Sequence, residues 1–172
     1  MARHCQHCGA VLVELTFADG KVREQCERCG AVAWHNPVPV GMALIEHEGR
    51  LVLVRRLAEP LAGYWAPPAG YVESGESVPQ AVLREAREET GLEIALDGLA
   101  EVYSRADVNV LIVAYRAHVI GGALRAGDDA LEAAYFAPGQ LPQEPPPTSG
   151  AAIDEWFYGV IRDATARWRP AR

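Results

Sequence analysis

Residues 70–92 read GYVESGESVPQAVLREAREETGL. Within this stretch Glu85, Glu88 and Glu89 are spaced i, i+3 and i+4, so on a helix they share one face about one turn tall. Three carboxylates crowded there repel one another and weaken an isolated helix by roughly a few tenths of a kcal/mol per pair. A divalent cation removes that repulsion. Hard oxygen ligands on one face suit Mg²⁺ or Mn²⁺, which leaves its other octahedral positions to water and a substrate phosphate. The flanks are those of a well-defined helix. Ser77 with Gln80 three residues on is a capping-box pattern, Pro79 belongs in a first turn, and Gly91 stands where a left-handed C-cap is expected. The spacing predicts a helix from about Val78 to Thr90. Upstream, Trp65-Ala66-Pro67-Pro68-Ala69-Gly70 is expected to be a tight loop, with Gly70 allowing close backbone approach to a ligand. E-x-x-E-E alone is most often a solvated helix face. Loop, cap and helix signals in one register favour a site.

These residues resemble the Nudix box, G-x5-E-x7-R-E-U-x-E-E-x-G-U, at every fixed position, with Ala86 and Leu92 in the apolar U slots. The resemblance implies an α/β fold, a Nudix α/β/α sandwich with a mixed β-sheet. It also implies hydrolysis of a nucleoside diphosphate linked to another moiety.

The 172 residues suffice for one ordinary domain and a small appendage. A hydrophobic fraction of 49% can build a core, and 23% charged residues are ordinary for a soluble protein. The net charge of −7 argues against nonspecific affinity for nucleic acid, although part of it belongs to the carboxylate face. No apolar run approaches the roughly 20 residues of a membrane span. Met1-Ala2-Arg3-His4-Cys5 has no apolar leader core, so a cytoplasmic location is expected.

All four cysteines lie at the front. Cys5-Gln6-His7-Cys8 and Cys26-Glu27-Arg28-Cys29 are two C-x2-C knuckles at a separation suited to a four-cysteine zinc site. Gly9 and Gly30 follow them and let backbone N–H groups face thiolates. Val11–Phe17 and Lys21–Arg23 flank Ala18-Asp19-Gly20, a hairpin signal. The expected unit is a small β zinc ribbon over 1–35, followed by the Nudix domain over 36–172. Disulfides or a redox pair would suit an exported or thioredoxin-like chain. His4, His7 and His35 lie near the knuckles and are expected to be bystanders. A structural Zn²⁺ would supply folding energy to a segment too small to bury its own core. Basic and acidic residues balance in this segment, which disfavours nucleic acid as its partner.

Beyond a proline-broken link, Trp34 to Pro39, strands are expected at Val40–Ile45 and Leu51–Leu57, with Glu46-His47-Glu48-Gly49 turning between them. Val108–Val119 reads as a central strand and Ala133–Phe136 as a short one. Leu141–Thr148 is a proline-rich connection. Ile153, Trp156, Phe157, Val160, Ile161, Ala164 and Trp168 fall at helical spacing and form a docking face for the sheet.

The resemblance implies roles residue by residue. Glu85, Glu88 and Glu89 would hold Mg²⁺, joined by the carbonyl of Gly70. Metals there neutralise phosphate charge and acidify water. The general base would be Glu88, Glu89 or the late Glu132, which reads equally well as an exposed loop acid. Glu76 and Arg84 would form an ion pair pinning loop to helix. A homodimer is expected, since the family commonly pairs.

The ribbon, the W-H-N-P junction and the box are together similar to two Nudix groups. In NADH pyrophosphatases the box is followed by S-Q-P-W-P-F-P-x-S, which is absent from residues 101–108. The ribbon-bearing FAD and ADP-ribose pyrophosphatases of the plant chloroplast type are matched over most of the chain. The proline usual in ADP-ribose enzymes past the box is replaced here by Ala106, Asp107 and Val108. ADP-ribose, FAD and NAD(H) are therefore the expected dinucleotide or nucleotide-sugar substrates, with nucleoside triphosphates as an alternative. A nucleotide or flavin would need aromatic slots and phosphate-directed arginines. Arg55, Tyr71 and Arg105 head that shortlist, followed by Arg56, Tyr64, Trp65 and Tyr103. A non-catalytic sensor of nucleotide sugars is the rival class, although such domains usually lose box glutamates.

Overall fold

The computed structural model describes residues 3–168. The first two and last four residues of the two expected domains lie outside that range. The chain divides into two compact units, one ending at Asn36 and the other beginning at Pro37.

The first unit holds β1 (Leu12–Thr16), β2 (Val22–Cys26) and β3 (Val32–Ala33), paired antiparallel in that order. Thr16 opposes Val22, and the N–H of Phe17 donates to Lys21 O at 2.9 Å, closing the expected hairpin. The two knuckles repeat one hydrogen-bond pattern. Cys5 N–H donates to Ala10 O and Gly9 N–H to Cys5 O; Cys26 N–H donates to Ala31 O and Gly30 N–H to Cys26 O, all at 2.8 Å.

In the second unit, alternating side chains decide the layering. The strands are β4 (Val38–His47), β5 (Arg50–Arg56), β6 (Trp65–Ala66), β7 (Ala69–Tyr71), β8 (Leu92–Arg105), β9 (Val108–Gly122) and β10 (Ala130–Phe136). The sheet order is β10-β5-β4-β9-β8, with β6 on β5 and β7 on β4. β4 and β9 run parallel and the other pairs antiparallel, so the sheet is mixed. The helices are α1 (Val78–Thr90) and α2 (Ala152–Arg167). On one face Ala43, Ile45 and Val52 pack with Val82 and Ala86 of α1. On the other, Met42, Leu44, Leu51 and Leu53 pack with Phe157, Val160, Ile161 and Ala164 of α2. This is the α/β/α sandwich, and the C-terminal apolar stripe docks as expected.

Four local expectations change. The turn after β4 is only Glu48-Gly49, both at positive φ, because Glu46 Oε1 accepts the Gly49 N–H at 2.6 Å and the strands run up to the turn. The loop before the box carries β6 and β7, which flank Pro67-Pro68 and set Gly70 opposite Gly41. Residues 92–105, with no strand expected, form the long edge strand β8. Its register shifts at several points, including Leu96/Gly98, and this hides the alternation. Finally, β10 begins at Ala130 rather than 133, because a bulge between Ala130 and Glu132 carries the pairing past an irregular step.

Candidate active site

Helix α1 starts with Ser77 N–H donating to Gln80 Oε1 at 2.8 Å. It ends at Gly91, φ 69°, whose N–H donates to Arg87 O. Those caps fix which side chains face the sheet. Ala81, Val82, Ala86, Glu89 and Thr90 are buried, whereas Glu88 is exposed and Glu85 half-buried.

Glu89 is 8% exposed and accepts the Ala69 N–H at 3.0 Å, which ties the box helix to β7. Burial raises its pKa to about 7. The Ala69 amide and Arg56 oppose that rise, and the charges of Glu85 and Asp129 add to it. Burial also raises the pKa of Glu85. Gly70 lies against the Glu85 carboxyl group, where an added Cβ would collide with it. Glycine is required there by close approach, not by an unusual φ.

Arg84 holds the face together. Its Nη2 and Nε donate to Glu76 at 2.6 and 3.1 Å, and Nη2 also donates to Tyr71 O at 2.9 Å. Its Nη1 reaches Glu85 at 2.7 Å and Glu88 at 2.9 Å. Glu76 holds the guanidinium firmly protonated, and Arg84 in turn lowers the pKa of Glu76. A cationic group thus already bridges two of the three box carboxylates. Hard oxygen donors that share a positive charge, beside a cradle without a side chain, fit a divalent cation.

The second end of the helix is fixed by the 125–130 segment. Arg125 N–H donates to Thr90 O and Gly127 N–H to Glu89 O. A Cβ at Gly127 would strike the Glu88 carbonyl. This anchoring brings Asp129 within electrostatic reach of Glu89, a neighbour that sequence reasoning missed. Glu132 instead sits on β10 opposite Arg55, ion-paired with it at 3.0 Å.

The shortlisted contacts separate clearly. Tyr71 and Arg56 line an apolar pocket of about 180 Å³ with Gly70, Val40, Trp156 and Phe157. Arg56 lies 5.0 Å over the Phe157 ring and donates to Pro60 O at 2.7 Å; burial lowers its pKa. Arg105 is held by Asp107 and Ala152 O, and Tyr103 by Asp163 at 2.9 Å. Tyr64 and Trp65 border a separate pocket beside Tyr158 and Glu144. Trp156 carried a core signal only, and its spacing gave no sign of a pocket.

In the first unit the four cysteines are free, and their Sγ atoms all lie within 4.8 Å of one another. Neighbouring sulfurs stand 3.4 to 3.6 Å apart. Zn–S bonds of about 2.3 Å in a tetrahedron place sulfurs about 3.8 Å apart, so the cluster suits zinc. The Cys29 N–H chiefly lowers Cys26 to about 7. His35 is engaged by Glu24 and Arg3, and among the described residues no histidine joins the cluster.

The NUDIX domain family model matches residues 35–157, and the chain belongs to that family. It is 42% identical over 104 residues to an ADP-ribose pyrophosphatase of Methanocaldococcus jannaschii, covering 58% of this chain and 62% of that one. It is 31% identical over 145 residues to the NAD-capped RNA hydrolase NudC of Pseudomonas aeruginosa, covering 84% of this chain and 52% of that one. The chain therefore spans about half to three-fifths of the length of these curated relatives. A NUDIX hydrolase structure from Nitrosomonas europaea superposes with a TM-score of 0.82 at 24% identity, over 98% of this chain and 95% of that one, and shares the fold. No helix among the described residues is long and apolar enough to cross a membrane.

Proposed function

We propose that the chain is a divalent-cation-dependent pyrophosphohydrolase that splits the P–O–P link of a nucleoside diphosphate derivative, foremost ADP-ribose, then NAD(H) or FAD. The observation that carries this reading is the Glu85 carboxyl group seated on Gly70, beside Glu88 and Arg84. Glu85, Glu88 and Glu89 with Gly70 would hold Mg²⁺ or Mn²⁺. When bound, that metal would supply charge neutralisation at the pyrophosphate and would acidify water for attack.

The chain's own groups do the rest. The ion pair of Glu76 and Arg84 fixes the loop on the helix, so the carboxylates meet the substrate in one geometry. Glu88, Glu89 or Glu132 takes the proton of the attacking water as its oxygen bonds to phosphorus, and the bridging P–O bond breaks to leave two monophosphates. Glu89, neutral more readily than an ordinary carboxylic acid, stands in hydrogen-bond contact with the box loop. The pocket at Tyr71, Arg56 and Trp156 suits one planar heterocycle. The cysteine cluster would hold a structural Zn²⁺ in a ribbon over 1–35, with the hydrolase domain over 36–172. One relative's name includes an RNA-linked substrate, so acidity alone does not exclude nucleic acid here.

The test is a Mg²⁺-dependent panel of ADP-ribose, NADH, FAD, a diadenosine polyphosphate and nucleoside triphosphates, scored by product identity, with Glu88→Gln as control. Turnover of one dinucleotide to two monophosphates, lost in the variant, is expected. Tight binding without product from any member would overturn the proposal in favour of a sensor.

A further inference from the structure

Arg87, in the last turn of α1, and Arg125, just beyond its C-cap, have no side-chain hydrogen-bond or ion-pair partner among the described residues. The Arg125 side chain runs along Gly91, where an added Cβ would meet its Cγ at 2.8 Å. With Glu88, Glu93 and the apolar Leu83, Leu92 and Ile94 they line an open cleft of about 600 Å³. Arg84 borders it too, but its guanidinium is already committed to Glu76, Glu85 and Glu88. Two uncommitted guanidinium groups therefore face a cleft that shares Glu88 with the box face. The apolar pocket opens instead at Gly70 and Tyr71, which touch that face through Glu85 and Arg84.

Guanidinium forks are matched to phosphate oxygens, and Arg87 and Arg125 are both exposed on the lining of one cleft. We propose that Arg87 and Arg125 form a subsite for a substrate phosphate beyond the scissile link. Its source is either a longer polyphosphate chain or the phosphodiester of an attached nucleotide. The inference rests on the hydrolase reading above, because it lays the substrate from the apolar pocket across the box carboxylates into the cleft. Cations near a helix C-terminus also complement its dipole, so the test needs a readout that a dipole role does not move.

That readout is steady-state kinetics of Arg87→Gln, Arg125→Gln and the double variant. The substrates are ADP-ribose, diadenosine tetraphosphate and an NAD-capped dinucleotide. Each single change is expected to raise KM about five- to tenfold on a phosphate-extended substrate, with kcat within about twofold and KM for ADP-ribose unchanged. The substrate that responds identifies the source of the phosphate. Equal shifts on all three substrates, no shift on any, or a lowered melting temperature alone would overturn the subsite. If the wild type turns over none of them, the hydrolase reading fails separately. Calorimetry with inorganic tripolyphosphate in metal-free buffer then decides: weaker binding by the double variant supports the subsite, and equal affinity overturns it.

Discussion

The carboxyl group of Glu85 fills the space that a side chain on Gly70 would take. Since the colliding atoms are the end of a flexible side chain, Gly70→Ala should displace Glu85 instead of unfolding the domain. The expected result is a loss of about 100-fold in kcat/KM with the melting temperature nearly unchanged, read by kinetics and thermal denaturation on one sample. Full activity in this variant would mean that the close approach of Gly70 does not position Glu85 for catalysis.

Glu89 gives the metal-free protein a pH signature. Its pKa is raised by burial from 4.5 to about 7, so between those values the folded chain binds more protons at this site than the unfolded chain does. This contribution to stability therefore falls as pH rises through that window, by up to about 3 kcal/mol. Urea denaturation in EDTA should show the decline, and Glu89→Gln should flatten it. A wild-type profile that rises over the same window would contradict the assignment to Glu89.

Arg84 and Glu76 should behave as one unit. Both are mostly shielded from water and joined by two hydrogen bonds. Glu76→Gln and Arg84→Gln should each destabilise the fold, and their losses should be non-additive in a double-mutant cycle. Strict additivity would mean that loop and helix hold their positions without the pair.

The cysteine cluster predicts one zinc per chain by elemental analysis, with four thiols slow to react until a chelator is added. Cys26→Ser should lose the metal and expose the other three, since a four-ligand site is seldom stable with a ligand removed. Rapid reaction of all four thiols in freshly purified, zinc-containing protein would count against the site.

Trp156→Ala should raise KM for dinucleotides about tenfold while leaving kcat within about threefold, because the indole walls the pocket, whose lining includes none of Glu85, Glu88 and Glu89. A fall in kcat with KM unchanged would place its role elsewhere.

Much of this was legible in the chain. Helix α1 could be bounded to the residue because Ser77, Pro79, Gln80 and Gly91 are unambiguous punctuation, and the four cysteines needed only counting. The apolar stripe of α2 followed from its spacing alone. Strand β8 was not legible, because register shifts around Asp97 and Gly98 break the two-residue period. The pairings of β6 and β7 were masked by the two prolines between them. Which arginine faces the pocket depends on tertiary position: adjacent Arg55 and Arg56 read alike, yet one is bound to Glu132 and the other lies over Phe157. The Arg84–Glu88 contact follows from i,i+4 spacing, whereas the simultaneous reach of Arg84 to adjacent Glu85 depends on side-chain conformation that spacing does not encode.

The parallel pairing of β4 with β9 has a kinetic meaning. Gly41 lies opposite Val113, and Gly70, Glu76 and the whole of α1 fall in the chain between them. The carboxylate face is thus contained within a long crossover that must close before β9 can dock. Such non-local closure is slow compared with forming a helix or hairpin. During refolding, the helical signal should therefore return well ahead of activity, and the delay between them times the docking of β9.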